Sequence, residues 1–239
     1  MYGRNDDVQP TLVAQFVFDA SDTTGTQYLA SAHADLRSTL PAAKLTSHSN
    51  IIATECGNSA PGVSCLESTP NQVLWYEGDV FENGFAFSMW VDFSKQTAGD
   101  IVLADFESVG GRKFRLSSKR DQDGSHALVL DADGESNLMI PCQNLESHLV
   151  GFTLSRTRGV ELFDFSLASG TDQRENARSE KSAASAWTAR GRSVEKFSLF
   201  PQASSSGHVL VSDVRVYSGA VTSSFFKFVY DCGQKESCM

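Results

Sequence analysis

Gly84–Ser94 reads GFAFSMWVDFS. In an extended chain, Phe85, Phe87, Met89, Val91 and Phe93 fall on one side, and Ala86, Ser88, Trp90 and Asp92 on the other. Side chains alternate across a strand with period two, so five bulky apolar residues in strict alternation call for a sheet with one buried face. A helix would spread the same residues around its circumference.

Similar stretches recur on both sides. Leu12–Asp19 alternates Leu12, Ala14, Phe16 and Phe18 with Val13, Gln15 and Val17. Downstream, strands are expected at Ile101–Phe106, Lys113–Ser118, His126–Asp131, His148–Ser155, Val160–Leu167, Val194–Phe200 and His208–Tyr217. Polar turns lie between them at Asp22–Gly25, Asp121–Gly124, Asp131–Gly134 and Arg156–Gly159. Residues 30–72 hold Pro41, Pro61 and Pro70 and read as short strands among long loops. Residues 168–193 are rich in Ser, Ala, Arg and Glu with Trp187 as their apolar anchor, and read as a long loop. Val221–Tyr230, dense in Phe, fits a last strand or a short helical turn. Roughly ten strands with no long helix predict an all-β fold, an antiparallel two-sheet β-sandwich or a barrel, and no linker divides residues 1–239.

The 239 residues carry a net charge of −9. A nucleic-acid partner is not expected, because backbone phosphates need a basic face; the basic residues gather only locally, at Arg112–Arg120 and Arg174–Arg192. No apolar run is long enough to span a bilayer, so direct membrane insertion is not expected. Met1–Asp7 is polar and is not an intact signal peptide, which leaves a cytoplasmic protein or an excised ectodomain. Cys56/Cys65 and Cys232/Cys238 are closely spaced in loop-like sequence, and Cys142 stands apart. Two short disulfides are one reading and a crossed Cys65–Cys232 bridge another; either places the chain in an extracellular or cell-surface setting. No CxxC or paired-His spacing favours zinc, and no Asn-x-Ser/Thr sequon is present.

Four segments, in order, resemble the laminin-G-like branch of the concanavalin A-like lectin/glucanase superfamily. "LVAQFVFDASDTTG" (Leu12–Gly25) resembles its opening strand and "FAFSMWVDFSKQTAGDIVL" (Phe85–Leu103) its central strand. "HLVGFTLSRTRGVELFDFSLASG" (His148–Gly170) resembles its hairpin, and "GHVLVSDVRVYSGAV" (Gly207–Val221) its closing strand. The hairpin lacks the usual Gly after Asp164, residues 168–193 form an insertion, and the pentraxin His-x-Cys-x-Ser/Thr-Trp run is absent. The resemblance implies a jelly-roll sandwich and a structural calcium near the two end strands, at Asp19, Asp22 and Asp213.

Catalysis has little support. The Glu-x-Asp-x-x-Glu strand of related glycoside hydrolases, whose alternation gathers acid and base on one face, is missing. Asp105 and Glu107 share a strand face, and Glu161 lies near Asp164 in sequence, but solvated carboxylates at a strand end explain the first pair better than catalysis does. Asp131-Ala-Asp133-Gly134 opens like an EF-hand loop, yet its twelfth position is Cys142. For sugar binding, an exposed aromatic beside polar groups is the usual device. Trp75 and Tyr76, before the acidic turn Glu77-Gly78-Asp79, are the first candidates, with Asp105, Glu107 and Trp187 beside them; Trp90, in the central strand, reads as core. The expected function is a non-catalytic recognition or adhesion module that binds a glycan or protein through rim loops, with calcium as a possible aid. The alternatives are an assembly domain of a larger surface protein and, more distantly, a glycoside hydrolase.

Overall fold

The computed structural model describes residues 11–16, 18, 23–24, 27–29, 44–47, 53–56, 64–68, 73–77, 84–108, 111, 113–132, 137–142, 145–155, 159–167, 175–182, 194–202 and 207–233. Seventeen strands are described, in chain order β1 (Thr11–Phe16), β2 (Thr23–Thr24), β3 (Gln27–Leu29), β4 (Lys44–Thr46), β5 (Ala53–Glu55), β6 (Ser64–Glu67), β7 (Leu74–Glu77), β8 (Phe85–Asp92) and β9 (Gly99–Ser108). They continue with β10 (Lys113–Arg120), β11 (His126–Ala132), β12 (Leu138–Cys142), β13 (Ser147–Ser155), β14 (Gly159–Leu167), β15 (Glu175–Ser182), β16 (Val194–Leu199) and β17 (Leu210–Ser218), and a helix, α1 (Ser223–Gly233), follows.

The strands form two sheets, and every described pairing between them is antiparallel. The first runs β15-β14-β13-β8-β17-β6-β5, with β1 also on β17. The second runs β12-β11-β10-β9-β16-β7-β4-β3-β2. The apolar face of β8 meets the second sheet as the alternation requires. Phe85, Phe87 and Phe152 of the first sheet pack against Phe106 and Phe197 of the second, with ring centroids from 4.8 to 5.7 Å apart across the sheets. All five rings are buried, and edge-to-face contacts of this kind add to the burial of the rings themselves.

The other face of the first sheet is covered by α1. Phe226, Val229 and Tyr230, spaced three and four residues apart, pack on Ala86, Leu149, Phe163, Phe165 and Tyr217. The Thr222 hydroxyl accepts a hydrogen bond from the Phe225 amide at 3.3 Å and caps the helix start. Val221–Tyr230 is therefore helical from Ser223 onward, and Phe228, 61% exposed, points away from the sheet. Trp90 sits on this outer face, half-buried, its ring stacked on Tyr230 at 5.3 Å.

Part of the expected loop at 168–193 is a strand: β15 pairs with β14 from Val160↔Ser182 to Leu167↔Glu175 and forms the sheet edge. Its polar sequence suits an edge strand and gave no apolar alternation to read. Cys56 and Cys65 are joined by a disulfide with Cα atoms 5.0 Å apart, next to β5 and in β6. The pairing of Cys232 with Cys238 lies outside the described residues. Replacing Cys56 and Cys65 together with Ala is expected to lower stability by about 2–3 kcal/mol, the loop-closure value for a bridge this short. Chemical denaturation checks this, and a loss under about 0.5 kcal/mol would contradict it.

Candidate functional site

The second sheet turns its inner side chains to the core, and on its outer face the described residues include a row of partly exposed side chains. On that face the register aligns one row across six strands. Thr46 of β4 pairs with Trp75 of β7, Trp75 with Ser198 of β16, and Ser198 with Asp105 of β9. Asp105 pairs with Arg115 of β10, and Arg115 with Asp131 of β11. All six are half-buried. The row exists because each strand alternates, with Leu74 and Tyr76, Phe197 and Leu199, Ala104 and Phe106, and Phe114 and Leu116 facing inward on either side of it. A second row carries Lys196, Glu107 and Lys113.

Between the rows lies a depression of about 290 Å³, bordered by Trp75, Asp105, Glu107, Lys113, Lys196 and Ser198. Arg115 fixes one wall. Its Nε donates to Asp105 Oδ1 at 2.8 Å and its Nη2 to Asp105 Oδ2 at 2.9 Å, the paired geometry that a planar guanidinium favours. That hydrogen bond, with the nearby Asp105 and Asp131 charges, raises the Arg115 pKa from its already high ordinary value. Lys196 Nζ lies 3.9 Å from Glu107 Oε2. A neighbouring hollow of about 200 Å³ opens beside Asp100, Arg115, Lys119 and Asp131. The face is amphipathic and charged in both signs. It offers one aromatic wall beside hydrogen-bond donors and acceptors. Both Asp105 oxygens already accept from Arg115, so an acid–base pair with Glu107 would first have to break that contact.

Trp75, Asp105 and Glu107 come together at this depression. Tyr76 does not. It is 6% exposed and faces the core, stacked on Phe197 at 4.5 Å and edge-on to Phe16. Trp75 and Tyr76 lie in a strand, so consecutive side chains take opposite faces. Trp187, Asp19 and Asp22 lie outside the described residues. Asp213 has a structural role. It sits in β17 at φ 46°, a conformation Asp tolerates better than most residues. It marks the place where the neighbour of β17 changes from β6 to β1. Its carboxylate accepts from Gln15 Nε2 at 2.6 Å and from both arms of Arg215; a cation there would compete with a guanidinium. Lys113, Arg115, Lys196 and Ser198 were not singled out from sequence. Each alternates with a buried aromatic or Leu, which marks the face but not its cross-strand neighbours.

No protein-family model matches the chain, and no curated protein matches it in sequence. Solved structures do resemble it. The binding domain of botulinum neurotoxin serotype G superposes with a TM-score of 0.56 at 10% identity, over 92% of this chain and 50% of that one. The serotype D ligand binding domain in complex with N-acetylneuraminic acid gives 0.59 at 9% identity, over 95% and 51%. The receptor binding domain of the C/D mosaic serotype gives 0.58 at 7% identity, over 92% and 51%. The chain thus spans about half the length of the structures it matches. At these identities the likeness shows the fold alone, an all-β antiparallel two-sheet sandwich.

Proposed function

We propose that this chain is a non-catalytic, glycan-binding sandwich of the concanavalin A-like type, and that it binds on the outer face of the second sheet and not through rim loops. The observation that carries this is the depression at Trp75, where an indole stands beside Ser198, Lys113, Lys196 and Glu107. A pyranose has an apolar C–H face and a rim of hydroxyls; an aromatic wall takes the first, and paired donors and acceptors take the second. The pre-formed sheet keeps the ordering cost low. Two further points support the reading: the similar serotype D domain carries N-acetylneuraminic acid, and the Cys56–Cys65 disulfide suits an extracellular setting. Among the described residues no helix is long and apolar enough to cross a membrane.

A glycan array holding neutral, sialylated and sulfated saccharides tests the proposal. A related set of glycans is expected to bind wild-type protein and to be lost with Trp75→Ala. Because the depression is built from side chains already paired with one another, binding is expected to be unchanged by the calcium chelator EGTA. An array with no hits would overturn the glycan reading and favour a protein partner.

A further inference from the structure

Away from the open face, a polar cluster is buried between the sheets at the β12 corner. His148 of β13 and Asp164 of β14 point inward from the first sheet, and Cys142 of β12 points inward from the second. One donor atom from each lies within 4.8 Å of the other two. The His148 and Asp164 side chains are 0% and 3% exposed, with His148 Nδ1 at 2.7 Å from Asp164 Oδ1. Cys142 keeps its thiol and is half-buried. The surroundings hold the donors in place. The Phe93 ring packs edge-on against His148 at 5.3 Å and His126 at 4.6 Å. His126, the cross-strand partner of Cys142, has Nε2 at 2.6 Å from Ser118 Oγ, which in turn donates to Gln96 Oε1 at 2.6 Å.

We infer that Cys142, His148 and Asp164 form a binding site for a divalent transition metal of the zinc class that ties the two sheets together. The donor set is a thiolate, an imidazole and a carboxylate, which suits zinc and not the all-oxygen preference of calcium or magnesium. Zn–S bonds of about 2.3 Å and Zn–N bonds of about 2.0–2.1 Å place tetrahedral donors roughly 3.3–3.7 Å apart, within reach of donors grouped this closely. Loading opens the short His148–Asp164 contact, with the proton between them moving to Nε2 of His148 so that Nδ1 can ligate, releases the thiol proton to solvent, and leaves a fourth position for water at the half-exposed Cys142 end. The three ligands sit on three strands of two sheets, so the metal acts as a cross-sheet staple and favours the folded state.

Cobalt titration of the untagged chain tests this, with the Cys142 thiol verified intact by mass. One equivalent of Co²⁺ is expected to bind and to show a sulfur-to-cobalt charge-transfer band together with the intense visible bands of a tetrahedral site. One equivalent of Zn²⁺ should abolish them and raise the melting temperature. Cys142→Ser should lose the charge-transfer band while keeping the wild-type circular dichroism. Should that variant fail to fold, Asp164→Asn provides the second arm, with at least a tenfold weaker Co²⁺ affinity. A wild-type spectrum without a thiolate band, or a band that survives Cys142→Ser, overturns the site.

Discussion

Gly151→Ala is expected to lower stability by about 3 kcal/mol, at the upper end of what overpacking costs. Gly151 lies in β13 between Ser88 of β8 and Phe163 of β14, in the middle of the first sheet. A Cβ built there would lie 2.3 Å from the Phe87 carbonyl oxygen and 3.1 Å from both Ser88 Cα and Ser88 Cβ. Two of these atoms are backbone, so no rotamer change relieves the clash, and β8 and β13 must separate. The strands that would move carry Phe85, Phe87 and Phe152, three of the five rings packed between the sheets. Gly124→Ala is the control. Gly124 has φ +90° and open space around its would-be Cβ, so its cost is conformational alone, about 1–2 kcal/mol. Urea denaturation separates the two. If Gly151→Ala costs no more than Gly124→Ala, the close approach of β8 and β13 is wrong.

Trp75→Ala is expected to weaken glycan binding by roughly 30-fold, the equivalent of losing about 2 kcal/mol at a binding hot spot. Phe106 and Phe197 also border the depression but are buried, with their rings turned to the core, so the half-buried Trp75 supplies its accessible aromatic surface; its removal takes away the apolar half of the recognition. Lys113→Ala, at the exposed margin, is expected to cost only a few-fold, chiefly through association rate and salt dependence. Calorimetric titration with the strongest array ligand measures both, and melting curves confirm that each variant is folded. Equal losses in the two variants would place the binding energy in charge and not in stacking.

The legible part of the fold was the part with strict alternation. Phe85–Phe93 and Lys113–Leu116 carry a one-sided pattern and lie in or next to β8 and in β10; Val160–Leu167, apolar on both faces, is β14. β12 and β15 were not legible. β12 is short and apolar on both faces over Leu138–Ile140 before Pro141 at a sheet edge, so it shows no alternation, and β15 is polar throughout and offers no apolar stripe. The helix was ambiguous because Phe225, Phe226 and Phe228 satisfy both periods; Val229 and Tyr230, packed beside Phe226, complete the helical spacing. At the candidate site, Asp105 and Glu107 could be placed on one face from their spacing. Their neighbours could not, since Arg115, Ser198 and Trp75 reach Asp105 only through register between strands distant in sequence. Tyr76 groups with Trp75 in sequence because no strand is assigned ahead of the Glu77-Gly78-Asp79 turn; in a strand the two consecutive side chains take opposite faces. The Cys142–His148–Asp164 group has no sequence spacing that marks a metal motif, because its donors come from strands of facing sheets.

The central claim is that the outer face of the second sheet is the recognition surface. Amide and indole NMR spectra recorded during titration with the strongest array glycan address it directly. The expected result is that the Trp75 indole and the amides of Glu107, Lys113, Lys196 and Ser198 shift together in saturable fashion, while the α1 face around Phe226 and Tyr230 stays still. Shifts confined to α1, to the β15 edge or to the loops would contradict it and move the binding surface elsewhere on the sandwich.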